Sequence, residues 1–213
     1  MRYLILLAIS TYLLSQGVFA NTYTADVWAD NWFQLNVNGE KVAEDSVPIT
    51  TERSFNAESF TFEAIPPFVI GLIVKDFKEN DSVLEYIGSR RQQMGDGGVI
   101  AQINNSDGES VVVTNDEWRC LVIHDAPLDK RCANEENPAA GVGHCGFATI
   151  DAPVGWDLKD YNDDKWNNAS VYSVKEVRPK GGYDRISWDS EAELIWGPDL
   201  ETNNTVLCRL SVN

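Results

Sequence analysis

The sequence predicts an all-β fold, an antiparallel β-sandwich or jelly roll. Three observations lead to this prediction. Apolar and polar residues alternate in several short segments, clusters of Gly, Asn and Asp separate these segments, and the residue spacing typical of amphipathic helices is weak throughout. Only Asp76–Tyr86 has a spacing that favours a turn or two of helix. Many short strands separated by turns are typical of sandwiches and jelly rolls.

The clearest local prediction is a β-hairpin. Apolar and polar residues alternate over Phe33–Val37, and Asn38-Gly39 follows directly. This dipeptide tolerates positive φ at both central positions of a type I′ turn, the turn that joins two tightly paired strands. The returning strand is therefore expected at Glu40–Ala43.

Further strands are predicted along the rest of the chain. Ser59–Ala64 alternates cleanly, and after Pro66-Pro67 the segment Phe68–Val74 is almost uninterruptedly apolar, as in a strand that is buried on both faces. Six shorter strands are expected at Val99–Ile103, Ser110–Thr114, Cys120–Ile123, Ala169–Val174, Ala192–Ile195 and Val206–Val212.

The first 20 residues have the features of a signal peptide. A basic residue precedes the apolar run Leu4–Leu14, and Val18-Phe19-Ala20 places small residues where a signal peptidase cleaves, so cleavage is expected before Asn21. The run is too short to span a bilayer, and no later run approaches the roughly 18 residues required. We therefore expect one secreted domain, residues 21–213, without a transmembrane anchor (in the periplasm or at the cell surface if the host is bacterial).

The cysteine count agrees with export. All four cysteines lie within residues 21–213, and an even number in an oxidising compartment indicates two disulfides. Three pairings are conceivable; Cys132–Cys145 with Cys120–Cys208 is favoured. The first pair would staple the long irregular stretch 125–146. A zinc site is the alternative, but no C-x-x-C pair is present to support it.

The charge of the chain limits its partners. Asp and Glu total 33 against 17 Lys and Arg, for a formal net charge of −16. A field of this sign repels phosphate backbones and anionic membranes, which excludes nucleic-acid binding. Divalent cations, neutral glycans and basic proteins are compatible partners.

Two histidines suggest a metal site. His124 ends a predicted strand, and His144 adjoins Cys145 in the stapled loop, which could fold back and bring the two imidazoles together. Such a pair would suit copper or zinc, with Asp125 and Asp129 as neighbouring carboxylates. The alternative is that both are ordinary hydrogen-bonded loop histidines.

Calcium is a separate candidate, because hard oxygen donors cluster in two turns without the regular spacing of an EF-hand. The first turn combines Asp76, Glu79, Asn80 and Asp81, and the second Asp160, Asp163 and Asp164. The alternative interpretation of each is a solvated turn.

Aromatic residues offer a route to carbohydrate binding, because flat rings stack on the apolar faces of sugars. Among seven tryptophans, Trp156, Trp188 and Trp196 are flanked by small or polar residues and are expected to reach the surface most readily. The loop Gly181–Arg185 could place Arg185 beside an aromatic ring to bind sugar hydroxyls.

Three segments, in this order, resemble galactose-binding-like jelly-roll domains, which accompany glycoside hydrolases such as rhamnosidases. They are ADNWFQLNVNGEKV at 29–42, GGVIAQI at 97–103 followed by VTNDEW at 113–118, and YNDDKWNNA at 161–169. The resemblance implies a galactose-binding-like fold, in which structural calcium is common. The hydrolase activity is not expected to carry over, because no catalytic barrel accompanies these segments. Much more thinly, the two histidines resemble those of methanotroph surface proteins that hold a single copper.

These observations rank three functions. The first is a secreted, non-catalytic binding protein for carbohydrate. The second is an extracytoplasmic copper protein that uses His124 and His144. The third, a glycoside-active enzyme, ranks last, because neither a G-x-S-x-G nor an H-E-x-x-H motif is present. No motif assigns a cofactor, so copper and structural calcium are the two candidates.

Overall fold

A computed structural model describes residues 19–51 and 55–213. The predicted signal peptide, apart from residues 19 and 20, lies outside the described residues. The described chain is nearly all β-structure and forms two antiparallel sheets, so the predicted fold class is confirmed. Within this part of the chain, no helix has the length and apolar character needed to cross a membrane.

The first sheet has six strands and the second has seven. The order in the first is β13 (Ser170–Tyr172), β14 (Leu194–Trp196), β8 (Gly98–Asn105), β1 (Asn21–Asp30) and β4 (Ala57–Ala64), with β9 (Ser110–Val113) also paired to β8. The order in the second is β11 (Ala148–Thr149), β10 (Arg119–Asp125), β15 (Asn203–Val212), β5 (Phe68–Lys75), β2 (Trp32–Val37) and β3 (Glu40–Glu44), with β12 (Asn167–Asn168) beside β10. A separate small ribbon joins β6 (Leu84–Glu85) to β7 (Gln93–Met94).

The main core lies between the two sheets. It takes alternate residues from facing strands, such as Val27 and Ala101 from the first sheet and Leu35 and Leu72 from the second. Burying apolar side chains contributes about 25 cal/mol for each Å² removed from water, so this layer is the main source of stability. Smaller apolar clusters cover the outer face of each sheet.

The predicted hairpin is present in the second sheet. β2 and β3 pair on either side of Asn38 and Gly39, whose φ angles are 49° and 86°. Asn38 also accepts a hydrogen bond from the backbone N–H of Val69 through its Oδ1 atom, at 3.0 Å, and this contact fastens the turn to the neighbouring strand β5.

Two features differ from the sequence-based expectations. Strand β1 was not predicted, although Tyr23, Ala25 and Val27 alternate with outward-facing residues and pack in the core. The helix expected within Asp76–Tyr86 is wrong: this segment forms turns that lead into the short strand β6. The only α-helix in the described residues is the single turn α1 (Val174–Val177).

Both predicted disulfides are present with the favoured pairing. Cys120 and Cys208 are directly opposite each other on the adjacent strands β10 and β15, so this bond ties two neighbouring strands of the second sheet. Cys132–Cys145 closes the long loop, and both of its cysteines are fully buried. The two bonds are consistent with an extracytoplasmic location.

The chain passes from one sheet to the other at a single residue, Asn31. Asp30 is the last residue of β1 and lies opposite Gly98, the first residue of β8. Trp32 begins β2 and pairs with Lys75 at the end of β5. This crossing brings the ends of four strands together at one end of the sandwich.

Candidate metal centre

Three aspartates meet at the end of the sandwich where the chain changes sheets. Asp30 ends β1, Asp76 follows directly after β5, and Asp96 precedes β8. One carboxylate oxygen from each lies within 4.8 Å of the other two. Two oxygens that bind one calcium ion at 2.3–2.6 Å can be at most about 5 Å apart, so this spacing fits a shared cation.

Backbone contacts hold Asp76 in place. Its N–H donates to the carbonyl oxygen of Asn204 at 2.9 Å, and the Asn204 side chain donates through Nδ2 to the Asp76 carbonyl oxygen at 2.8 Å. On the other side, the backbone of Gly95 packs against the carboxylate. A Cβ atom at position 95 would lie 2.0 Å from Asp76 Oδ2, so only glycine leaves room for this side chain.

Most of the buried carboxylate oxygens of Asp30 and Asp76 have no hydrogen-bond partner within the described part of the chain. Asp30 is 0% exposed and Asp76 is 2% exposed. Among the described residues, neither carboxylate oxygen of Asp30 nor the Oδ1 atom of Asp76 has a hydrogen-bond partner. Burying an ionised carboxylate without hydrogen bonds costs several kcal/mol, so such a group is expected to take up a proton or a cation.

The electrostatics agree with the burial. Burial raises the pKa of Asp30 well above its usual range, and the nearby charge of Asp96 raises it further, whereas Lys180 acts in the opposite direction. Burial also raises the pKa of Asp76 well above its usual range, and the charges of Asp30, Glu85 and Asp96 add to this effect. Negative charge is therefore in excess at this end of the sandwich.

One ammonium group lies close but does not balance the cluster. Lys180 Nζ is 4.0 Å from Asp30 Oδ2 and 3.7 Å from Asp96 Oδ2. The buried carboxyl group of Glu85 adds a fourth acid, and its Oε2 atom accepts a hydrogen bond from Gln93 Nε2 at 2.7 Å. Among the described residues, Asp30, Asp76 and Asp96 therefore face one partly exposed lysine, and a divalent cation would improve the charge balance.

The chemical type of the ligand atoms indicates which cations suit this site. All three aspartates offer carboxylate oxygens, which are hard ligands that suit calcium, magnesium or manganese rather than copper. Asp96 is 28% exposed and, with Gly95, lines a cavity of about 600 Å³. An ion can therefore reach the cluster from this side, while Asp30 and Asp76 close it on the inside.

Sequence reasoning found one of the three residues. Asp76 was predicted in an oxygen-rich turn, but its expected companions make other contacts. The Oε1 atom of Glu79 accepts a hydrogen bond from the backbone of Ile87, and Asn80 accepts one from Ser82. These two side chains stabilise the turn and are not in the three-aspartate group.

The remaining predicted calcium ligands also lie outside the three-aspartate group, where they form ion pairs or are exposed. Asp81 pairs with Lys78, with 2.7 Å between Oδ1 and Nζ. In the second predicted turn, Asp163 forms an ion pair with the buried Arg209, while Asp160 and Asp164 are exposed. The only group of three potential ligands among the described residues is the one at Asp30, Asp76 and Asp96.

The two histidines contact different carboxylates. His124 is buried, with its Nε2 atom 3.4 Å from Asp81 Oδ1, and its ring stacks on Phe147. His144 Nδ1 is 3.0 Å from Asp129 Oδ2. Asp125, the other predicted neighbour, instead accepts a hydrogen bond from Asn203.

The four residues predicted to bind sugar do not form one site. Trp196 is 0% exposed, and its Nε1 atom donates to the Asn203 carbonyl oxygen at 2.6 Å, so the expectation that it reaches the surface is wrong. Trp156 is also buried, and it stacks on Trp166 over the outer face of the second sheet. Partly exposed Trp188 instead packs against the outer cluster of the first sheet.

Arg185, the fourth predicted sugar-binding residue, is exposed and lies close to Trp188 in the sequence. Trp156 and Trp188 lie on opposite faces of the sandwich, so no single ligand contacts both. The physical reason is that period-two patterning shows which residues share a face of a strand but not which outer surface is covered by a loop.

No family model, curated protein or solved structure matches this chain. The resemblance to galactose-binding-like domains therefore depends on its sequence segments alone and stays a prediction.

Proposed function

We propose that this protein is an exported β-sandwich that binds a divalent cation, calcium in the first place, through Asp30, Asp76 and Asp96. The observation that carries the proposal is the meeting of these three carboxylates around buried oxygens that have no hydrogen-bond partner among residues 19–51 and 55–213. A calcium ion placed between them would satisfy the buried oxygens and compensate their charge together.

The location of the site suggests what the ion does for the fold. Asp30 belongs to the first sheet and Asp76 to the end of a strand in the second. An ion that binds both would cross-link the two sheets at the point where the chain passes between them. Calcium would then stabilise the native state by mass action, because the unfolded chain does not hold the three carboxylates together.

Export fits this proposal. The predicted signal peptide and the two disulfides support a secreted protein, and calcium sites of extracellular modules commonly have dissociation constants of about 10⁻⁴ to 10⁻³ M. A site with three charged ligands and one competing lysine is expected in or below this range.

Calorimetric titration of chelator-treated protein with calcium tests the proposal. We expect one ion per chain, with uptake lost in Asp30→Asn and Asp76→Asn. Asp151→Asn provides the matched control, because this aspartate is exposed and outside the cluster. Absence of uptake by the wild-type protein at millimolar calcium, or equal uptake by all three variants, would contradict the proposal.

A further inference from the structure

A cavity large enough for a small ligand adjoins the three aspartates. Its volume is about 600 Å³, within the range of pockets that hold small molecules and large enough for a short oligosaccharide. Gly95 and Asp96 form part of its wall. Asp96 is thus shared between the three-aspartate group and the cavity, so a ligand in the cavity could contact an ion held by Asp96.

Arg178 provides a hydrogen-bond donor in the wall of the same cavity. It follows helix α1 with a left-handed backbone, φ 51°, after the capping box formed by Ser173 and Glu176. Its side chain is exposed, and no ion pair or hydrogen bond engages its guanidinium group within the described part of the chain. A guanidinium group without a partner in a cavity wall is available to a ligand.

Hydrogen-bond acceptors line the same cavity as Arg178. Lys130 lies between two carboxylates, 2.9 Å from Asp199 and 2.7 Å from Glu201, and all three line the cavity. Together with Glu176 and Asp96, the wall carries four carboxylates against two cationic side chains. This excess of negative charge disfavours anionic ligands, whereas neutral hydroxyl groups can donate to the carboxylates and accept from the cationic groups.

We propose that the cavity binds a neutral saccharide through the bound cation, with two adjacent sugar hydroxyls on the ion beside Asp96 and neighbouring hydroxyls on Arg178 and Glu201. This inference rests on the proposed calcium site. It places the proposed sugar site at the end of the sandwich that carries the three aspartates, and not at the tryptophans that the sequence predicted.

Saturation-transfer NMR with galactose, mannose, fucose, glucose, lactose and cellobiose tests the inference, with and without a calcium chelator. We expect at least one of these sugars to bind in millimolar calcium and to be released by the chelator. Glucuronic acid serves as the anionic comparison and is expected to bind less well than the neutral sugars.

Variants separate the sugar site from the ion site. Arg178→Asn keeps a residue that tolerates the left-handed backbone, and it is expected to weaken sugar binding at least tenfold while calcium uptake is unchanged. Arg185→Ala is the matched control, because it removes an exposed arginine from a different loop and is expected to leave sugar binding unchanged.

Three results would overturn the inference. They are calcium uptake without binding of any sugar in the panel, sugar binding that persists in chelator, and loss of binding in Arg185→Ala but not in Arg178→Asn. Failure of calcium uptake itself would overturn the proposed function and this inference together, and the calcium titration detects that case independently.

Discussion

Asp30 ends a strand of the first sheet and Asp76 directly follows a strand of the second, yet their buried carboxylates meet at one end of the sandwich. Three of their four oxygens have no hydrogen-bond partner in the described residues. An apolar interior does not hold such a pair ionised unless a positive charge lies between or beside the two groups. The ammonium group of Lys180, which pairs with Asp30 in the described structure, is 4.0 Å away and partly exposed. An ion bound between the three aspartates, as we propose, would balance the charge of these buried carboxylates.

The Asp76→Asn substitution is predicted to stabilise the protein in chelator and to destabilise it, relative to the wild type, in saturating calcium. In chelator, removing an uncompensated buried charge is expected to raise the free energy of unfolding by roughly 1–3 kcal/mol. In saturating calcium the variant should be the less stable protein, because the wild type gains about 4.1 kcal/mol at a calcium concentration 1,000 times its dissociation constant, more than the variant gains in chelator. Urea unfolding of both proteins in both conditions measures this; the same order of stability in the two conditions would contradict it.

The pH dependence of the metal-free protein follows from the raised pKa values of Asp30 and Asp76. Between the usual carboxyl pKa and the raised values, the native state holds more protons than the unfolded state, so stability falls as the pH rises through this window. Side chains whose pKa is lowered in the fold, such as Asp129 and Asp199, lose their contribution only at lower pH, below the usual carboxyl value.

The comparison of wild type with Asp76→Asn isolates this effect, because His124, whose pKa is lowered by burial, titrates in both proteins. In chelator, the stability advantage of the variant is expected to be largest at pH 7–8 and to shrink towards zero near pH 4. A constant difference across this range would mean that Asp76 does not titrate abnormally.

Gly95→Ala is predicted to damage the ion site by direct crowding. The added Cβ would lie 2.0 Å from Asp76 Oδ2, so the carboxylate must move, and we expect calcium affinity to fall at least tenfold. Gly146→Ala is the matched control, since its added Cβ would lie 3.9 Å from the nearest neighbour, Leu128. Equal calcium affinities for these two variants, measured by calorimetry, would argue against the packing of Gly95 on Asp76.

The two disulfides are predicted to differ in their contributions to stability. Cys120–Cys208 joins residues 88 apart in sequence, and Cys132–Cys145 joins residues 13 apart. In the chain-entropy model these loops correspond to about 4.5 and about 3 kcal/mol. Paired Cys→Ala replacements, compared by thermal unfolding, should therefore cost more for the first bond; a larger loss for the short loop would contradict this.

Local features were predictable because short stretches of sequence determine them. The hairpin depended on Asn38-Gly39 and the alternation beside it, and the strands β4 and β5 depended on their own patterning. The predicted disulfide pairing was also confirmed. Strand β1 was missed although Tyr23, Ala25 and Val27 alternate just as clearly, so the signal for it was present in the sequence.

The ion site could not be assembled from sequence patterns. Asp30, Asp76 and Asp96 are far apart along the chain and meet only because β1 pairs with β8 while β2 pairs with β5. The burial of Trp196 also depends on a contact between segments that are distant in sequence. Its flanking Gly197-Pro198 suggested exposure, whereas Gly97 of a distant segment packs directly on its indole ring.

A crystal structure of the protein grown in millimolar calcium tests the central claim most directly. We predict one ion, identified by its anomalous signal, at 2.3–2.6 Å from carboxylate oxygens of Asp30, Asp76 and Asp96. A calcium-grown structure in which Lys180 donates hydrogen bonds to Asp30 and Asp96 and no ion lies between the three aspartates would contradict it.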